Sequence, residues 1–126
     1  MALTDGSPAR LKRSAEALLR PMTAVPTSVH EGSLPSRQSL LDFKAGHSVM
    51  CSVRIAEDGA LAVRLFEAEG VRDSATLRPR FAIRRACLTD LEGHVLSEIR
   101  TDGKEATFDL DPCQLVEARL YPDKQE

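Results

Sequence analysis

Leu61-Ala62-Val63-Arg64-Leu65-Phe66-Glu67-Ala68-Glu69-Gly70 is the stretch whose reading settles the fold class. Leu61, Val63 and Leu65 share one parity, and Ala62 and Phe66 the other, so either set could face a core. Period two is the signature of a half-buried strand. The run follows Glu57-Asp58-Gly59, a tight-turn signal. Before that turn, Ser48 to Ile55 places Val49, Cys51, Val53 and Ile55 on one face. Ser48, Met50, Ser52 and Arg54 fall on the other. The two runs predict a β-hairpin.

Strand texture continues outward from this hairpin. Arg72 to Arg78 reads as a third strand, and Pro79 implies an edge or a break there. Phe81 to Thr89 reads as a fourth, but Phe81 and Ile83 are out of phase with Ala86 and Leu88. A bulge near Arg84-Arg85 reconciles them. Val95 to Ile99 is a fifth strand, and Asp102-Gly103 is a hairpin turn. Ala106, Phe108 and Leu110 alternate on a sixth, and Leu115 to Tyr121 forms a seventh. Seven short strands with turn signals between them predict an all-β, antiparallel two-sheet β-sandwich, immunoglobulin-like, over residues 39–126.

Residues 1–38 have a different texture and read as a connecting segment. They hold four of the seven prolines. Leu11, Ala15, Leu18, Leu19 and Met22 recur at helical spacing, which predicts a short amphipathic helix over Ala9 to Arg20. Pro21 stops it. Thr23 to Arg37 is rich in Pro, Ser, Thr and Gly and reads as an extended connection. So long a structureless stretch suits a chain that runs along the surface of a partner.

The chain has 126 residues, enough for about one domain. Its net charge of −2 gives no global field for nucleic acid or an anionic membrane. No apolar run approaches a bilayer span, and Met1 to Arg13 lacks the apolar centre of a secretory signal. A cytoplasmic location is the resulting expectation. Cys51, Cys87 and Cys113 are widely spaced and read as small hydrophobes. Cys87, which follows Arg84 and Arg85, is the one placed for a reactive thiol.

The sequence nominates no catalytic, cofactor-binding or metal-ligating residue. Glu57/Asp58, Glu67/Glu69 and Asp109/Asp111 are paired acids, but they fall at turns or strand ends and read as solvated turn residues. His30, His47 and His94 lack metal-ligand spacing. Sugar-binding modules offer aromatic faces to sugar rings, an extension of aromatic packing. Phe66, Phe81 and Phe108 follow strand patterns and read as core, which leaves Phe43 and Tyr121 as platforms. Arg72, Arg78, Arg80, Arg84 and Arg85 form the one charge cluster. It reads chiefly as charge guarding a strand edge, with anion or RNA binding, or ion pairs to a parent domain, as alternatives.

Several segments, in order, resemble the C-terminal region of glycoside hydrolase family 38 α-mannosidases. Ala15 to Met22 is similar to the family's A-x-x-L-N-x-P-L, with Leu19 at the asparagine. His30 to Pro35 resembles its G-x-L-P turn, and Ser39-Leu40-Leu41 the S-F-L that starts a strand. Val53 to Gly59 resembles V-K-x-A-E-D-G, and Val63-Arg64-Leu65-Phe66-Glu67 resembles the R-L-Y-E strand. Phe81 to Ala86 is similar to F-x-V-x-x-A, and Thr89 to Glu92 to N-L-L-E. Asp111 to Leu120 resembles the closing P-F-E-I-K-T-L-R-L, with Cys113 at an aromatic and Glu117 at a threonine. Ala2 to Gly6 resembles part of a strand in the preceding β-domain.

The resemblance implies a C-terminal β-sandwich that supports mannoside hydrolysis carried out elsewhere. In the family a carboxylate nucleophile and a divalent metal, usually zinc, lie in a large N-terminal catalytic domain whose motifs this sequence lacks. The implied partners are the catalytic and middle domains of a parent enzyme, and a mannose-containing glycan is a further one. On this reading the chain begins inside a larger architecture and is inactive alone. Two alternatives stay open: a free-standing carbohydrate-binding module, and a protein-interaction domain that uses a sheet edge.

Overall fold

The computed structural model describes residues 6–123. The resemblance over Ala2 to Gly6 lies almost wholly outside that range. Helix α1 (Pro8–Leu19) is followed by eight strands. These are β1 (Leu41–Ala45), β2 (Ser48–Ile55), β3 (Leu61–Glu67), β4 (Asp73–Pro79), β5 (Ile83–Thr89), β6 (Val95–Ile99), β7 (Ala106–Leu110) and β8 (Leu115–Pro122). They form a three-stranded sheet, β1-β4-β7, and a five-stranded sheet, β2-β3-β8-β5-β6. Every pairing is antiparallel. The expected sandwich is present, with β1 as an eighth strand. It is short and half-buried, and only Leu41, Phe43 and Ala45 turn toward the core.

The core lies between the sheets. Val63, Leu65, Leu77, Leu110 and Leu120 are completely or almost completely buried there. Thus Leu61, Val63 and Leu65 take the inner face of β3, while Ala62 and Phe66 face outward. The outward Phe66 is half-buried and not part of the main core, contrary to its expected role. Phe108 is core, and Phe81 packs partly against it.

Three bulges or irregularities interrupt the register, one of them between Leu88 and Thr89 in the β5–β6 pairing. The shift between Ile83 and Arg85 falls where the clash of phase required one. The shift between Met50 and Ser52 was not foreseen. It leaves Cys51 as the extra residue, so Met50 joins Leu65 on the inner face while Val49 pairs with Phe66 on the outer one. The single apolar face expected for Val49, Cys51, Val53 and Ile55 is therefore split, because a bulge reverses side-chain parity. Val53 and Ile55 end up 45% and 71% exposed at the edge strand. Pro79 ends β4, which is the middle strand of its sheet, so the proline marks a break and not an edge.

Helix α1 matches its predicted span within a residue at each end. Pro8 sits in its first turn, where the missing N–H is not needed. The helix buries only Ala9. Beyond it, residues 21–40 contain no helix or strand and are all exposed. Met22, Val25, Val29 and Leu34 are each at least 79% exposed. Among the described residues no helix is long and apolar enough to cross a membrane.

Candidate functional site

Three polar constellations and one cleft carry the chemistry of the surface. The first lies at the end of the sandwich where β3 leads to β4. Glu67 is fully buried. Its carboxylate accepts backbone N–H groups from Glu69 (2.9 Å), Gly70 (2.8 Å), Val71 (3.2 Å) and Cys113 (2.8 Å). Burial, the largest single influence, pushes its pKa up. The four N–H groups outweigh that and hold it below the usual carboxylate value. The expectation of a solvated Glu67 is thus wrong: a strand-end acid is buried when loops supply enough donors. Cys113 takes φ +59°, a left-handed turn that aims its N–H at Glu67.

Next to it, Asp73 accepts N–H groups from Gly46 (3.2 Å), His47 (2.9 Å) and Ser48 (2.8 Å), and the Ser48 hydroxyl (2.7 Å). Burial again opposes ionisation most strongly. The Ser48 hydroxyl and the surrounding N–H groups overcome it and bring Asp73 down to about 2. Glu69 bonds Ser7 and, at 2.6 Å, the Nδ1 of His47. It also accepts the N–H of Ala9. Glu69 therefore ties the start of α1 to the sandwich, and Arg13 adds a 3.2 Å bond to the Ser48 carbonyl. The bond to Glu69 raises the pKa of His47 above 6.5.

The second constellation covers the outer face of the five-stranded sheet. Glu117, on the middle strand β8, has a side chain only 2% exposed. Arg54 donates to both of its oxygens (2.9 and 3.0 Å), Arg64 to one (3.3 Å) and Arg119 to the other (3.1 Å). The face can hold this cluster because Ala62 and Thr89, next to the charged positions in register, are small. Arg119 also reaches Asp58 at 3.2 Å, and the Tyr121 hydroxyl donates to Asp58 at 2.8 Å. Burial, followed by the bond to Asp58, raises the pKa of Tyr121. Gly93 (φ +94°) packs against Arg119, where an added Cβ would meet the guanidinium at 2.9 Å.

The third constellation is the turn between β5 and β6. Asp90, Glu92 and His94 bring ligand-type atoms within 4.8 Å of one another. The spacing was not recognised in the sequence. One Asp90 oxygen accepts the N–H groups of Glu92 and His94, and the other faces His94 Nδ1 at 3.0 Å. These bonds account for the cluster as a turn stabiliser. Of the other histidines, His30 bonds the Ser28 carbonyl at an exposed site, far from this group in sequence.

The remaining sequence candidates separate. Cys87 is buried and burial raises its pKa, which opposes a reactive thiolate. Phe43 is half-buried against the core and is no exposed platform. Tyr121 is half-buried, with the Arg85 guanidinium 5.3 Å from its ring centroid. Glu57 is exposed beside Asp58, and Asp109 and Asp111 are exposed as expected. The arginine cluster divides: Arg85 pairs with Glu98 (Nε–Oε2 3.2 Å) and Arg72 lies 3.9 Å from Asp111. Arg78 and Arg80 line a cleft of about 460 Å³ with Lys104.

In the sequence Glu67 shows only as a motif residue and one of a pair of turn acids, and Glu117 only as a departure from a motif. The available signal was positional. Glu117 stands in the run from Leu115 to Tyr121 two residues before Arg119, and Arg54 and Arg64 sit on the two hairpin runs where they could meet it.

Together these features define an antiparallel β-sandwich domain whose buried acids brace its loops and its outer sheet. The family model for the glycosyl hydrolases family 38 C-terminal beta sandwich domain matches residues 49–116, over half of the chain. The chain belongs to that family. Comparisons with curated proteins and with solved structures gave no match.

Proposed function

We propose that this chain is a structural accessory domain of a family 38 α-mannosidase, supporting mannoside hydrolysis by a catalytic domain outside it. The observation that carries this reading is the row of exposed apolar side chains along residues 21–40. Met22, Val25, Val29 and Leu34 lie on an irregular segment and are exposed, with no surface of the described residues covering them. Leu18 and Leu19 continue the row at the end of α1, at 82% and 77% exposed. Apolar exposure on this scale suits an interface. The catalytic or middle domain of a parent enzyme would cover it. The zinc implied by the family belongs to that catalytic domain.

The test has two arms. The purified chain is offered an aryl α-mannoside with and without zinc or cobalt, and no turnover is expected. It is then co-expressed with a family 38 catalytic and middle domain pair, and co-purification is scored against the Met22→Asp/Val29→Asp variant. Turnover by the chain alone, or association indifferent to the two aspartates, refutes the proposal.

A second reading, protein interaction through a sheet edge, draws on β6. This edge strand exposes Val95 (51%) and Leu96 (56%). Concentration-dependent dimerisation in sedimentation, abolished by Leu96→Lys, would favour it. The carbohydrate-binding reading gains nothing from Tyr121, since Arg85 occupies one face of its ring.

A further inference from the structure

We propose that the cleft bounded by Arg78, Arg80 and Lys104 binds a small soluble ligand bearing at least two negative charges, a phosphate ester or a polycarboxylate. This reading does not depend on the accessory role.

Charge accounting points there first. Arg54, Arg64, Arg85 and Arg119 all have carboxylate partners within the chain. The guanidinium groups of Arg78 and Arg80 have no hydrogen bond or ion pair among the described residues. Asp42 stands opposite Arg78 in the β1–β4 register, yet the two side chains form no ion pair. Lys104 feels the field of Asp102, but one oxygen of that carboxylate is already occupied by the N–H groups of Lys104 and Glu105, both at 2.8 Å. Among the described residues, three cations thus share one cleft with a single lining carboxylate, Asp42. Their mutual repulsion is relieved when a multivalent anion enters.

The cleft is also built to hold its shape. Three separate parts of the chain form its walls, and backbone hydrogen bonds join them. Arg80 N–H donates to the Leu40 carbonyl at 3.1 Å, and Ile83 N–H donates to the Gly103 carbonyl at 2.8 Å. Pro79 is buried and Phe81 half-buried in the lining, so the cations rise from a firm apolar base. The volume of about 460 Å³ falls in the range of small-molecule sites. Two guanidinium forks suit paired oxygens of a phosphate or carboxylate, and the ammonium adds a point charge.

The test is an NMR titration of the full chain with inorganic phosphate and, separately, with citrate, at constant ionic strength. Saturable shifts centred on residues 78–82 and 103–104 are expected with at least one probe, and the stronger probe identifies the oxyanion class. Arg78→Gln/Arg80→Gln should weaken that binding by at least about tenfold, from the loss of two charge-assisted contacts. Arg72→Gln/Arg84→Gln removes the same charge outside the cleft and should change it less than about twofold. All four arginines are exposed, so neither variant threatens the fold. Unsaturable shifts with both probes, or equal weakening in the two variants, overturns the proposal.

Discussion

Replacing Glu117 with glutamine should damage the sandwich more than any other single change on its outer sheet. The carboxylate is 2% exposed and faces three guanidinium groups. Removing one partner of a fully buried pair costs about 3–5 kcal/mol. Here the arginines are unequal. Arg54 is 45% and Arg64 34% exposed, so both can turn to water and lose only surface-pair energy, about 1 kcal/mol or less each. Arg119, at 18%, is more confined and would keep Asp58 as its one carboxylate partner among the described residues. These considerations bring the expected loss to about 2–3 kcal/mol, or a fall in Tm on the order of 10–20 °C for a domain of this size. Arg54→Met provides the contrast. Glu117 would retain Arg64 and Arg119, so the cost should stay below about 1 kcal/mol. Thermal unfolding by far-UV circular dichroism, with urea midpoints at unchanged m, measures both. If Glu117→Gln melts within about 3 °C of the parent, or Arg54→Met is equally harmful, the outer-face network does not brace the sheet.

Two further outcomes follow from the loop-end acids. Asp73 ionises at about 2 in the fold against 3.8 ordinarily, so its contribution is complete above pH 4 and fades as the pH falls toward 2. An acid-unfolding series should show Asp73→Asn less stable at neutral pH, by about 1–2 kcal/mol, with the gap to the parent closing through that window; a constant gap contradicts the assignment. For His47 the sign is reversed. Its pKa is raised, so its help in docking α1 is present below 6.5 and is lost as the pH rises through the higher folded value. Hydrogen-exchange protection at Ala9 to Arg13 should fall about two- to fivefold on crossing it, and His47→Gln should remove the slope.

The hairpin, the β5 bulge and the span of α1 were legible because each depends on local chemistry: a Glu-Asp-Gly turn, a parity clash between Ile83 and Ala86, a proline on either side of a helical stripe. The Cys51 bulge was not, since nothing in Val49-Met50-Cys51-Ser52-Val53 breaks the alternation; the partner strand imposes it. Strand β1 is invisible to periodicity because five residues offer too few periods; only the resemblance at Ser39-Leu40-Leu41 points to a strand start there. The sites were less readable than the fold. Glu67 and Cys113 are 46 positions apart, and their bond depends on how two turns meet. Arg78, Arg80 and Lys104 converge only because the β6–β7 connection crosses from one sheet to the other beside the end of β4, where Asp102-Gly103 had implied a hairpin between paired strands.

One carboxylate, that of Glu67, fastens the loop after β3 and the turn before β8 at the same time. Neither can be lengthened without releasing the other. Grafted peptides, tags or new chain termini placed between Gly70 and Val71, or beside Pro112, should therefore cripple folding. The exposed Glu57–Gly59 turn at the opposite end of β3 offers a safer place to open the polypeptide.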